Sequence, residues 1–335
     1  MSINTLNPDS DLFGLLYGFS FRPDLPGQEV GSAEALRLLR EAAGGDRFVW
    51  LHLNLAHANC ERWLKSHLEL PEEFFESLHE GSRSTRIEHI DSALLAVVND
   101  VVFDFNGLST DIATLWVCVR QGLIVTARHH PLRSVDRLRA SVKRGERFRS
   151  PMELLTHLLR DQSDVLSQFM RTTSLSVDRI EDELLAQRVS QNRSELGAKR
   201  RVLVRLQRLL ALEPGSLLRL LHRPPAWLLE DDLQELRQST EESALVINDL
   251  VALGERIKLL QEEIAANLNE QSSRTLFTLT LVTVLALPIN IIAGFFGMNV
   301  GGIPLASDPH GFWVLVLLVA TFTFIAGRWA FRKRE

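Results

Sequence analysis

TLFTLTLVTVLALPINIIAGFF, residues 275–296, decides the architecture, because it is an uncharged run of helical length closed by Gly297-Met298-Asn299. As a helix it spans about 33 Å at 1.5 Å per residue, close to the roughly 30 Å hydrocarbon core of a bilayer. A second uncharged run, Phe312 to Ala326, extends through Gly327 to Phe331 and carries Trp313 and Trp329 as interfacial belts. From Thr275 to Trp329 the ionisable side chains are Asp308, His310 and Arg328 alone. Two membrane spans follow, joined by the loop Gly297 to Gly311.

Orientation follows from the flanking charge. Arg274 precedes the first span and Arg328, Arg332, Lys333 and Arg334 surround the exit of the second, whereas the loop holds no Lys or Arg. Both outer ends are therefore expected in the cytoplasm and the loop outside. The opening MSINTLNPDSDLF lacks a basic region followed by an apolar one, which predicts no signal peptide and a cytoplasmic first 270 residues.

Upstream of Thr275 the pattern Leu229, Leu233, Leu236, Leu245, Leu250, Leu253, Ile257, Leu260 and Ile264 runs into the span with few interruptions. It predicts one helix from about Ala226 to Phe296, on the order of 100 Å long, too long for one side of a compact domain. Such a helix is a stalk, expected to pack against copies of itself. Residues 151–225 read as helical, with breaks at Glu213-Pro214-Gly215 and Arg223-Pro224-Pro225.

Residues 1–150 read as α/β. Strand-like runs cover Phe48 to Asn54, Ala93 to Phe105, Ile112 to Arg120 and Leu123 to Ala127, with turns at Asn106-Gly107 and Gln121-Gly122. Helical patches lie at Ser32–Ala43 and Cys60–Leu70, and Pro71-Glu72-Glu73 opens another. The expected whole is an α+β cytoplasmic domain of mixed sheet and helices, a long stalk helix, a two-helix transmembrane hairpin and a tail at 332–335.

The net charge of −5 supplies no global basic field, so the run Arg137 to Arg149 reads as solvated surface and nucleic acid is not expected as a partner. Cys60 and Cys118 show no CxxC spacing and read as ordinary buried thiols. No Walker loop, nucleophile elbow or GxGxxG is present, which leaves an enzyme or an ATP-driven pump without a motif and implies no cofactor. The ten histidines, among them His52, His57, His129 and His130, lack the spacing of a defined zinc site and read as surface or capping residues.

Within the first span Leu276, Thr280, Thr283, Leu287, Asn290 and Gly294 alternate steps of four and three and so share one face. The stripe projects back to Ser273, Asn269 and Glu262. A polar stripe in a membrane helix is either helix-to-helix glue or the lining of a water-filled pore. Periodicity alone leaves both open. The acidic clusters Glu181-Asp182-Glu183, Glu230-Asp231-Asp232, Glu241-Glu242 and Glu262-Glu263 read mostly as solvated faces, Glu262 excepted because it nears the stripe.

Gly297-Met298-Asn299, followed by Val300-Gly301-Gly302-Ile303-Pro304, resembles the Gly-Met-Asn signature of the CorA superfamily of divalent-cation transporters, in the form of its ZntB branch. The resemblance implies a homopentameric funnel in the bacterial inner membrane, with the first spans around one axial pore. Asn299 would then ring the outer mouth and meet a hydrated ion, Asn290 would form a second polar ring, and Leu276 and Leu287 would be hydrophobic constrictions. Gly297 and Gly301-Gly302 would permit the tight backbone that presents Asn299; alternatively its amide caps the helix, and both roles can coexist. Asp308 and His310, the ionisable groups of the outer loop, are candidate contacts for the ion. Zinc is the expected cargo, with cobalt, nickel, cadmium and magnesium as companions or alternatives. A membrane-anchored scaffold or sensor without transport is the competing class.

Overall fold

Apolar and aromatic residues alternate through the first half of the chain in runs of five to nine, each too short for a helix and flanked by turn residues. A computed structural model describes residues 13–41, 47–79, 85–101, 112–186, 192–210, 220–298, 302, 304 and 308–332. The runs form seven strands: β1 (Leu15–Phe21), β2 (Gln28–Glu29), β3 (Phe48–Asn54), β4 (Arg86–Ile90), β5 (Ala93–Val101), β6 (Ile112–Arg120) and β7 (Leu123–Arg128). They make one sheet in the order β2-β1-β3-β7-β6-β5-β4. Only β3 and β7 pair in parallel among the described strands, with Val49 beside Leu123 and Asn54 beside Arg128. The two-residue turn Gln121-Gly122 joins β6 to β7, and Gly122 takes φ +78, the left-handed region in which a Cβ is penalised.

Both faces of this sheet are covered. One buries Phe19, Phe21, Phe48, Trp50, Leu115 and Val117 under α4 (Arg133–Lys143) and α5 (Pro151–Leu185). The other buries Leu51, Leu53, Trp116 and Val125 under α1 (Ser32–Glu41), α2 (Cys60–His67) and α3 (Glu72–His79). Sheets covered on both faces read as continuous apolar runs, which is why β3, β6 and β7 are visible in the sequence. β1, β2 and β4 are additions to the expected strands: Gly18 interrupts β1, β2 is two residues long, and β4 alternates Arg86 and Glu88 with Ile87. β5 is described from Ala93 to Val101, and the rest of the expected run to Phe105, the Asn106-Gly107 turn and the Glu213-Pro214-Gly215 break lie outside the described residues.

Helix α5 opens at Ser150, whose Oγ accepts from the Glu153 amide at 2.9 Å, with Pro151 in the first turn where its missing N–H costs nothing. Helix α6 covers Asn192–Leu210. The Arg223-Pro224-Pro225 break ends a short helical turn, and α7 then runs from Glu230, four residues later than the expected Ala226, to Gly297. A final helix, α8, covers Gly311–Arg332.

The chain divides into two compact units, Met1–Leu260 and Gln261–Glu335. Within the first, α7 buries Leu233, Leu236, Leu250, Leu253, Ile257 and Leu260 and is tied to α5 at three heights. Ser150 Oγ donates to Asp232 at 2.9 Å, Ser163 and Ser243 share a bond of 2.8 Å, and Arg256 pairs with Asp178 at 2.6 Å and with Glu181. Asp232 is thus no solvated residue of an acidic face; it is 2 % exposed, and burial raises its pKa. Cys60 and Cys118 are buried thiols, pushed up to about 11 and about 12 by burial.

Candidate functional site

The second unit contains the end of α7 and all of α8, and its chemistry follows from which side of α7 is covered. An 18-residue window of α7 has a mean hydropathy of 2.2 and contains no buried residue, as a lipid-facing or copy-facing helix requires. In α8 the described apolar stretch is Gly311–Ile325, shorter than a full span. Among the described residues of the α7 span, exposure is reduced at Leu281, Leu285, Ala286, Pro288, Ile289 and Ile292. In α8 it is reduced at Gly311, Leu315, Val319 and Thr323, at steps of four.

At 100° per residue, Leu281, Leu285, Pro288 and Ile292 lie on the side of α7 opposite the stripe Leu276, Thr280, Thr283, Leu287, Asn290 and Gly294. Every residue of that stripe is exposed, Leu276 at 61 % and Leu287 at 58 %. A Cβ added at Gly294 or Gly297 would meet nothing within 4 Å. Glu262, Asn269 and Ser273 are exposed as well. Among the described residues the chain's own helices leave the stripe uncovered, so packing against α8 does not account for it.

The two stripe threonines are wired in one sense. Thr280 Oγ donates to the Leu276 carbonyl at 2.8 Å and Thr283 Oγ to the Leu279 carbonyl at 2.9 Å. A hydroxyl that spends its proton on its own helix offers the outside world only lone pairs. The stripe thus presents neutral oxygen acceptors, suited to the water shell of a dication, which dehydrates reluctantly. No carboxylate stands on the stripe within the span to hold an ion tightly.

Gly297 ends α7 in helical conformation, and the Met298 amide approaches the Phe295 carbonyl at 3.5 Å, a stretched final turn. The left-handed residue is Gly302, at φ +96. Asn299, Val300, Gly301 and Ile303 lie outside the described residues, so the expected mouth amide has no geometry here. Asp308 and His310 are brought together as a helix start: Asp308 Oδ1 accepts from the His310 amide at 2.8 Å, and its carbonyl accepts from Gly311 at 3.1 Å. Asp308 thus closes a turn two residues before the N-cap position of α8, where the helix dipole favours a carboxylate. The imidazole of His310, 82 % exposed, stands 3.6 Å from the same carboxylate oxygen. Among the described residues no group of three or more His, Cys, Asp or Glu is arranged to hold a metal.

Two sequence expectations need correction in the first unit. His52 is neither a surface nor a capping residue; it is fully buried, and burial, with Arg128 and Arg139 nearby, holds its pKa well below the ordinary value. Arg139, in the run taken for solvated surface, lies over the Tyr17 ring at 4.5 Å with its Nε buried. A histidine in the middle of the strand FVWLHLN was the available signal.

The profile of the CorA-like Mg2+ transporter protein family matches residues 45–333. The divalent cation transporter CmaX of Pseudomonas aeruginosa is 28 % identical over 327 residues, 96 % of each chain. The zinc transport protein ZntB of Pectobacterium atrosepticum is 23 % identical over 295 residues, 88 % of this chain and 90 % of the relative. The structure of full-length CmaX superposes with a TM-score of 0.78 at 26 % identity, covering 95 % of this chain and 98 % of that one. The complete CorA magnesium transporter of Methanocaldococcus jannaschii shares the fold, with a TM-score of 0.73 at 18 % identity over 93 % and 96 % of the two chains. A family match across most of the chain, the shared fold and a membrane helix with an uncovered polar stripe lead to one conclusion: this chain belongs to the CorA family of divalent-cation transporters, which are membrane transporters and not enzymes.

Proposed function

We propose that the chain conducts zinc across the bacterial inner membrane through an axial pore lined by α7 in a homopentamer. The observation that carries this reading is the polar stripe on the side of α7 that the chain's own helices leave uncovered. In a ring of copies, Thr280, Thr283 and Asn290 supply neutral oxygens to a hydrated ion. Leu276 and Leu287 supply apolar constrictions that close by dewetting. Asn299, at the end of the Gly-Met-Asn signature, takes the outer mouth. Glu262, Asn269 and Ser273 continue the path on the cytoplasmic side, where a carboxylate ring concentrates cations. The charge around the two helices supports cytoplasmic termini and an outer loop, and an external protease on intact cells should then reach only residues 297–311.

The choice of zinc rests on Val300-Gly301-Gly302-Ile303-Pro304, a loop start with no acidic residue to capture a strongly hydrated magnesium ion, and on the ZntB relatives. An imidazole at His310 suits zinc better than magnesium. Fluorescent-dye uptake in proteoliposomes tests it: zinc flux should exceed magnesium flux at matched free concentration, and Asn290→Leu should abolish most of both. Magnesium flux equal to zinc would replace the cargo, and no flux of either would favour a scaffold.

A further inference from the structure

Three aligned strands place Tyr17, His52 and Thr126 in one row across β1, β3 and β7, with Arg128 one step further on the same face. Thr126 Oγ accepts from Trp50 Nε1 at 2.8 Å and from His52 Nδ1 at 2.8 Å, and donates to the Leu51 carbonyl at 3.3 Å. Arg128 Nε donates to His52 Nε2 at 2.8 Å. These bonds fix His52 as the neutral imidazole with its proton on Nδ1, since Nε2 must accept. Among the described residues the two terminal nitrogens of Arg128 have no hydrogen-bond or ion-pair partner.

Within this row Tyr17 stacks on His52 at 4.7 Å, and Arg139 of α4 lies over the Tyr17 ring at 4.5 Å. Tyr17 is 6 % exposed, yet its hydroxyl has no hydrogen-bond partner, and neither has the buried Nε of Arg139. Two orphaned buried donors in one contact pair cost about 1 to 3 kcal/mol each unless something accepts from them. Charge says what that is. Arg128 and Arg139 carry two positive charges, His52 is neutral, and Asp136, whose field is felt by Tyr17 and Arg128, supplies one negative charge. Among the described residues neither arginine forms an ion pair, and Asp136 acts on both at longer range. The cluster is a set of donors with a net charge of about +1, so an anion satisfies it and water leaves the charge uncompensated.

The location agrees. The cluster stands at the carboxyl ends of β3 and β7, the parallel pair, beside α4 and half open to solvent at Arg128 and Arg139. Crevices outside the carboxyl ends of parallel strands are where open α/β sheets take ligands.

We propose that Tyr17, Arg128 and Arg139 form a binding site for a small oxyanion of the phosphate or carboxylate class on the α4 side of the sheet. The guanidinium forks match the paired oxygens of such a group, and the tyrosine hydroxyl donates the remaining bond. The site uses no residue of the proposed ion path and stands or falls without it. Isothermal titration of the full chain in detergent, with inorganic phosphate and then acetate at pH 7 and sodium chloride matching the ionic strength, reads it directly. Saturable binding of at least one oxyanion is expected, weakened about tenfold or more in Arg139→Gln and in Tyr17→Phe. Tyr17→Phe removes one hydroxyl and keeps the stacked ring, so it decides the matter if Arg139→Gln fails to fold. Absence of saturable heat in the wild type, or heat unchanged by Tyr17→Phe, overturns the site. Competition by chloride at equal concentration overturns the oxyanion class.

Discussion

Asn290 and Asn299 carry the sharpest expectations at the scale of single residues, Asn290 because a neutral amide in an apolar helix is expensive without a role and Asn299 because it closes the Gly-Met-Asn signature. Asn299→Ala should cut zinc uptake into proteoliposomes at least tenfold while the protein elutes from a sizing column unchanged. Unaltered uptake would reduce Asn299 to a helix cap. His157 offers a pH test in the cytoplasmic unit. Its Nδ1 lies 3.2 Å from Asp161 and its Nε2 3.0 Å from Glu146, and the Asp161 contact is the main cause of a pKa above the ordinary value. A pKa raised in the folded state contributes stability that is complete below the unfolded value of about 6.5 and disappears as pH rises through the folded one. The gap in melting temperature between wild type and His157→Gln should therefore be wider at pH 6 than at pH 8.5. Asn290 was legible because it breaks an apolar run. The pairing of His52 was not: its partner Thr126 lies 74 residues away, and no local period signals such a contact.

Among elements, α7 is the one whose faces differ in consequence. Thr278 back-bonds to Arg274 at 2.9 Å just as Thr280 and Thr283 bond their own carbonyls, but it points to another side of the helix. Thr280→Val and Thr283→Val together should lower ion flux several-fold, and Thr278→Val should leave it within a factor of two, by the same uptake assay. Equal losses would mean that the hydroxyls serve helix geometry and not the ion. The face itself could be read from spacing. Its freedom from cover could not, because the half-covered side, Leu281 to Ile292, is as apolar as the lipid-facing sides. In the sheet the same limit hid β4, whose charged and apolar alternation resembles a surface loop until Ile87 finds Ala96 opposite. β6 and β7 were readable because burial on both faces leaves an unbroken apolar run.

For the whole molecule, the proposed pore demands copies, and native mass spectrometry in detergent should return five chains. A stable monomer or dimer would remove the pore. The family and the membrane helix were legible from the Gly-Met-Asn signature and the uncharged run beside it; the number of chains came from the resemblance alone. The uncovered stripe also bears on how the protein is made. A newly inserted chain that has not met its partners leaves the Asn290 amide and the Thr280 and Thr283 oxygens in hydrocarbon, an arrangement the bilayer penalises. Lone protomers should therefore be short-lived in the cell, cleared by membrane proteolysis when synthesis outruns assembly, and a variant that assembles but does not conduct should silence wild-type chains expressed beside it.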